Sequence, residues 1–130
     1  TSQEIAQAEH VSGNRLAKPV IAVADGRFVM AVLAAPRHLS LHKLGTVLGA
    51  KTVRLAHEEE FRSLFPDCEV GAMPPFGHLY GMDLLVDVDL TQNETVVFNA
   101  GSHRESVKMR YEDFDELAKP EIADLAAETD

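Results

Sequence analysis

Two apolar, β-branched runs, Lys18 to Ala24 and Arg27 to Ala34, are separated only by Asp25-Gly26. No other feature constrains the fold of this chain as tightly. Asp-Gly between apolar runs specifies a two-residue hairpin loop, so the runs must pair as adjacent antiparallel strands. Beyond the hairpin the pattern alternates between helix and strand. Ser40 caps a helix whose Leu41, Leu44, Val47 and Leu48 share one face, and Gly49 is placed to end it. A short strand at Thr52 to Leu55 comes next. His57 to Phe65 then reads as a second helix, with Phe61, Leu64 and Phe65 inward and Pro66 as its stop.

Asp83 to Val88, Thr95 to Ala100 and Ser106 to Arg110 are further strands, linked by the polar turn T-Q-N-E and by Gly101-Ser102. Tyr111 to Asp130 reads as a helical tail interrupted at Pro120, its apolar contacts being Phe114, Leu117, Ile122 and Leu125. At the other end Thr1 and Glu4 have capping-box spacing before I-A-Q-A, predicting a helix over Ser2 to Glu9, and Gly13 breaks the pattern. Strands and helices without regular βαβ alternation predict an α+β fold with a mixed, mainly antiparallel sheet and flanking helices.

At 130 residues the chain fits one domain, residues 1–130, large enough for a core without staples. No apolar run approaches the length needed to cross a bilayer. Cys68 is the single cysteine, so no internal disulfide can form, and a reducing cytoplasm is the expected compartment. It reads as a small, half-buried filler. The net charge of −9 argues against extensive wrapping of nucleic acid. It leaves room for a contact in which one or two cations meet a terminal phosphate. Oligomeric state is open.

The segment Val70 to Gly77, V-G-A-M-P-P-F-G, packs two prolines and two glycines into eight residues. Prolines fix φ and glycines permit turns and close approach, so such a loop can offer its own carbonyls and amides to a ligand; an ordinary surface turn is the plainer reading. Other candidates are scattered. Lys18 opens an apolar strand, where its stem can lie on apolar surface with the ammonium aimed into a cleft or simply toward water. His38 and His42 have i, i+4 spacing without a third ligand or an H-E-x-x-H, so a metal hydrolase is a minor rival and no metal or cofactor is expected. Asp87 reads as structural. No G-x-S-x-G elbow is present, and no serine or cysteine has a context that marks a nucleophile.

The loop and its surroundings resemble the YbaK/EbsC family of aminoacyl-tRNA deacylases, related to the editing domain inserted in bacterial prolyl-tRNA synthetases. The family's signature glycine and proline, four apart, are here Gly71 and Pro75. Further matches run in family order: L-A-K-P-V-I-A-V at Leu16 to Val23, L-H-K-L-G-T-V-L-G-A-K at Leu41 to Lys51, V-D at Val86 and Asp87, and F-N-A-G at Phe98 to Gly101. Relatives carry a helix and a strand before the point where this chain begins, so part of the family N-terminus, and any pocket wall made there, is expected to be missing.

The resemblance implies a YbaK-like fold and a cytoplasmic enzyme that hydrolyses the ester of a tRNA mischarged with a small amino acid. Lys18 aligns with the family's functional lysine, which would hold the phosphate of the terminal adenosine, and Asn14 could touch the same nucleotide or merely form a turn. Carbonyls from Gly71 to Pro75 would accept hydrogen bonds from the substrate's α-ammonium, with Ala72, Met73, Pro74 and Phe76 around the side-chain pocket. Gly101 and His103 follow a strand expected to end beside this site, where His103 could orient substrate or be an exposed turn residue. The partners implied are the acceptor end of a mischarged tRNA and an aminoacyl-tRNA synthetase. A non-catalytic module holding an amino acid or aminoacyl-nucleotide is the rival on the same fold.

Overall fold

Asp25 and Gly26 both take positive φ, 48° and 81°, as a two-residue type I′ hairpin loop requires. In the computed structural model, which describes residues 13–69 and 71–128, they join β1 (Ala17–Ala24) to β2 (Arg27–Ala34) in unbroken antiparallel register. The Asp25 carboxylate accepts hydrogen bonds from the amides of Lys51 and Thr52 at 3.0 and 2.9 Å. Those bonds, the Thr52 amide foremost, favour its ionised form and lower its pKa. The hairpin tip thereby anchors the entry to β3 (Val53–Leu55), which pairs antiparallel with the far end of β1.

On the other side of the hairpin, β4 (Asp83–Asp87) runs parallel to β2 and β7 (Glu121–Ala123) parallel to β4, giving the order β3-β1-β2-β4-β7. β5 (Thr95–Asn99) and β6 (Ser106–Arg110) form a separate antiparallel ribbon. A parallel bridge between Leu16 and Val97 ties that ribbon to the start of β1. The expected α+β architecture with a mixed, mainly antiparallel sheet is the one observed.

Alternation along the strands makes two cores. Met30, Val32, Leu84 and Val86 face Phe61, Phe65, Met73, Phe98 and Phe114 on one side of the sheet. Val29, Ala31, Leu33 and Leu85 face Leu44 and Leu125 on the other. Leu44 belongs to α1 (Leu41–Leu48), which Ser40 caps by accepting from the Lys43 amide at 3.1 Å and Gly49 ends at φ 65°. Of the four residues expected on its inner face, Leu44 alone is fully buried; Leu41 and Leu48 are half-buried, and Val47 is 37% exposed on the rim.

Two expectations need correction. The second helix is shorter than its pattern: α2 (Glu58–Phe61) tightens into a 3-10 turn over Arg62–Leu64. At Phe65 the backbone leaves helical geometry (φ −127°, ψ 60°). Phe61 and Phe65 are inward as expected and meet edge-on at 6.2 Å, but Leu64 is left 38% exposed. The tail is the larger departure. α3 (Tyr111–Ala118) ends at Lys119 in the left-handed region, and after Pro120 the chain is extended, as β7 on the flank of β4. The open edge of β4 offers backbone partners that outweigh the helical pattern of the tail. Phe114, Ala118 and Leu125 are buried, while Leu117 is 60% exposed and Ile122 lies at the surface. The helix expected over Ser2 to Glu9 lies outside the described residues.

Candidate active site

Gly71 and Gly101 both occupy positive φ, 81° and 96°, and their neighbourhoods are clipped together by backbone hydrogen bonds. The Gly101 amide donates to the Ala72 carbonyl at 2.9 Å, and the Glu69 amide donates to the Gly101 carbonyl at 2.7 Å. The proline-rich loop is thereby held against the turn between β5 and β6. Ala72, Met73 and Pro75 are buried, and Pro74 is half-buried. Phe76, also half-buried, sets its ring 5.5 Å from those of Phe98 and Phe114. Met73 belongs to the main core, so it could shape a pocket only through packing. The half-buried His103 imidazole covers the space that a Gly71 side chain would enter.

The carbonyls do not stand alike. Ala72 already accepts from Gly101, and Pro74 accepts from the Phe76 amide at 2.9 Å. Those of Gly71, Met73 and Pro75 receive no hydrogen bond from the described residues. These three are the carbonyls of the loop that no backbone amide among the described residues engages.

Lys18 is the second residue of β1 and pairs with Leu33, so it stands on the face opposite the Met73 core. The outer edge of β1 is taken by β3 from Ala22 to Ala24 and by the bridge to β5 at Leu16. Lys18 lies in the gap between them. It is half-buried, and burial lowers its pKa by disfavouring the ammonium. That ammonium makes no hydrogen bond or ion pair among the described residues. Asn14 sits in the 3-10 turn Gly13–Arg15, exposed, with its carbonyl accepting from Asn93 Nδ2 at 3.0 Å.

Asn99, part of the F-N-A-G match in the sequence but given no role there, stands near the bridge between β1 and β5. It ends β5, is 2% exposed, and its Oδ1 has no hydrogen-bond partner among the described residues. In a parallel pair, positions two residues beyond a bridge share its side. Lys18 and Asn99 therefore flank the Leu16–Val97 bridge on one side. The available signal was the F-N-A-G match, in which Asn99 is the single amide closing the otherwise apolar run V-V-F-N.

Other candidates separate from this cluster. α1 begins at Leu41, so His38 lies outside it and shares no helix face with His42. Asp87 is fully buried and structural: its Oδ1 accepts from the Leu125 and Ala126 amides at 2.8 and 3.2 Å. Cys68 is half-buried against the main core, as a filler would be. A groove of about 530 Å³ runs between α1 and β3, lined by Leu41, His42, Gly45 and Lys51 among others. It contains none of Lys18, Gly71, Asn99 or His103, and it holds no buried polar atom that lacks a partner.

Residues 1–117 match the aminoacyl-tRNA editing domain family. The chain belongs to that family. This editing domain is 32% identical over 98 residues to the multifunctional Ser/Thr-tRNA deacylase ProXp-y of Escherichia coli K12, an alignment covering 75% of the chain and 58% of the relative. It is 32% identical over 103 residues to a proline–tRNA ligase of Anaeromyxobacter sp. strain Fw109-5, covering 77% of the chain but 18% of the ligase. A solved structure of a candidate trans-editing enzyme for prolyl-tRNA synthetase superposes with a TM-score of 0.88 at 25% identity, over 98% of this chain and 80% of that one. The editing domain thus spans little more than half the length of the deacylase it resembles.

Proposed function

We propose that this editing domain hydrolyses the ester bond of a tRNA mischarged with a small amino acid. The observation that carries the reading is the clipped loop, in which the Gly71, Met73 and Pro75 carbonyls stay without partners among the described residues while the backbone around them is fixed. Three carbonyls are suited to an α-ammonium, which brings three donors. Lys18, left without a protein partner among the described residues, would hold the phosphate of the terminal adenosine. An aminoacyl ester is already activated, and the vicinal ribose hydroxyl can assist attack by water, so catalysis rests on positioning and dipoles rather than on a covalent intermediate.

Such an activity answers a limit of pocket discrimination. One methylene changes selectivity by only about 1 to 3 kcal/mol, or roughly 10 to 200-fold, so a synthetase admits smaller amino acids. A second site that accepts only those removes the error after charging. In this reading the partners are the acceptor end of the mischarged tRNA and a synthetase, and the compartment is the cytoplasm. Among the described residues no helix is long and apolar enough to cross a membrane.

The test is a single-turnover deacylation screen across tRNAs charged with small amino acids, with N-acetylated aminoacyl-tRNA in parallel. Hydrolysis of at least one free-amine substrate, slowed by acetylation, is the expected outcome. Acetylation leaves the ester intact while removing the charge and two donors. Folded protein that binds aminoacyl-tRNA without accelerating its hydrolysis would favour a non-catalytic binding module instead.

A further inference from the structure

Strand register puts two polar side chains, Lys18 and Asn99, on one side of the Leu16–Val97 bridge. Among the described residues only Asp87 and Asn99 are buried polar or charged side chains. The Asp87 carboxylate is fully occupied by the amides of Leu125, Ala126 and Asp89. Asn99 differs, because its Oδ1 is sealed from solvent with no donor among the described residues. An orphaned buried carbonyl is costly, and one in a native structure calls for a reason such as a missing partner.

The neighbour with donors to spare is Lys18. It carries three N–H groups that no ion pair engages among the described residues, and strand register puts it on the same side of the Leu16–Val97 bridge as Asn99. Two residues past Asn99, Gly101 holds the Ala72 carbonyl. β5, bridged to β1 at Leu16–Val97 and ending at Asn99, therefore leads from the strand that carries the lysine to the clip that fixes the loop.

We propose that Asn99 is a positioning residue for Lys18, its Oδ1 accepting a hydrogen bond from the ammonium and holding it toward the rim formed by Gly71 and His103. A flexible four-carbon stem otherwise leaves the ammonium to sample many placements. With one N–H fixed by Asn99, the remaining two point to the substrate's phosphate. The kinetic part of this inference rests on the deacylase reading; the structural part does not.

The experiment uses the full chain and two variants. Asn99→Leu removes the acceptor at similar volume, and because Oδ1 has no other partner the variant should fold with an unchanged or higher melting temperature. Its kcat/KM should fall by about tenfold or more, the worth of one hydrogen bond to a charged group. In a double-mutant cycle Asn99→Leu should add almost nothing to Lys18→Ala. Independent of any substrate, the NMR titration midpoint of the Lys18 ε-methylene should fall in Asn99→Leu and rise by about one unit or more in Asn99→Asp, where a carboxylate replaces the amide. Additive kinetic losses, or a Lys18 midpoint identical in all three proteins, would overturn the assignment. A wild-type protein without deacylase activity would overturn the proposed function, and the titration would still decide the Asn99–Lys18 contact.

Discussion

A Cβ built on Gly71 would stand 3.6 Å from Cε1 and 3.8 Å from Nε2 of the His103 imidazole, an ordinary van der Waals separation. Space therefore does not reserve this position for glycine; its φ of 81° does. Gly71→Ala should keep the fold but strain it, since a left-handed residue with a Cβ costs about 1 to 2 kcal/mol. The loop can relieve the strain only by rotating its carbonyls, so turnover should drop by roughly tenfold or more in single-turnover kinetics. A destabilised variant with wild-type turnover would show that the carbonyls of this loop are not the recognition element.

Lys18→Ala should abolish most deacylation while leaving stability equal or slightly higher, because burial already penalises the charged form. The pH dependence has a definite sign. The folded pKa lies below the ordinary 10.5, so the ammonium loses its proton earlier as pH rises. Affinity for a non-hydrolysable, amide-linked aminoacyl-nucleotide should therefore decline on the alkaline side at a pH below 10.5, and Lys18→Ala should flatten that limb. Calorimetric titration across the range provides the measurement.

Asp87→Asn should be among the most destabilising single substitutions. The amide replaces one acceptor oxygen with donors facing the N–H groups of Leu125, Ala126 or Asp89. A buried N–H left without an acceptor costs about 1 to 3 kcal/mol. Urea unfolding should show a lower midpoint with little change in slope. A midpoint within error of wild type would mean that the tail is held without this carboxylate.

Glu60 sets an acid limit on stability. It accepts from both arms of the Arg54 guanidinium at 2.7 Å and from the His57 amide at 2.7 Å. The guanidinium first, and the amide second, hold its pKa down to about 2 against an ordinary 4.5. A carboxylate depressed in the folded state contributes stability that is complete above the unfolded value and lost as pH falls toward the folded one. The loss should therefore appear between about pH 4.5 and 2, and remain small because the pair is exposed. Melting temperatures of wild type and Glu60→Gln should differ at about pH 6, above the whole window, and converge near pH 2.

The parts of the molecule that local chemistry dictates were legible from the residues. Asp25-Gly26 can hardly do other than turn a hairpin, and Ser40 and Gly49 bracket α1 through bonds made within a few residues. The clustering of Gly71 and Pro75 likewise announces a fixed backbone. What depends on distant partners was not legible. Glu121 to Ala123 takes its strand conformation from β4, far earlier in the chain, and no local pattern competes with the helical spacing there. Asn99 stands within F-N-A-G but was given no role, because an amide at a strand end looks like turn chemistry. The Leu16–Val97 bridge, which joins residues far apart in the chain, puts it on the same side as Lys18.

The match to the editing domain family stops at residue 117, yet the architecture does not. Ala118 is buried, β7 covers the flank of β4, and the amides of Leu125 and Ala126 satisfy Asp87. Beyond them Lys43 grips Asp124, the Ala126 carbonyl and Glu128 at 3.1, 2.8 and 2.9 Å. A fragment trimmed to the recognisable boundary would bare an unpaired parallel strand, an invitation to self-association, and would strand a buried negative charge. Anyone excising this module for grafting or fusion should place the cut after residue 128, since the stretch most easily mistaken for a dispensable linker is the seam that closes the sheet.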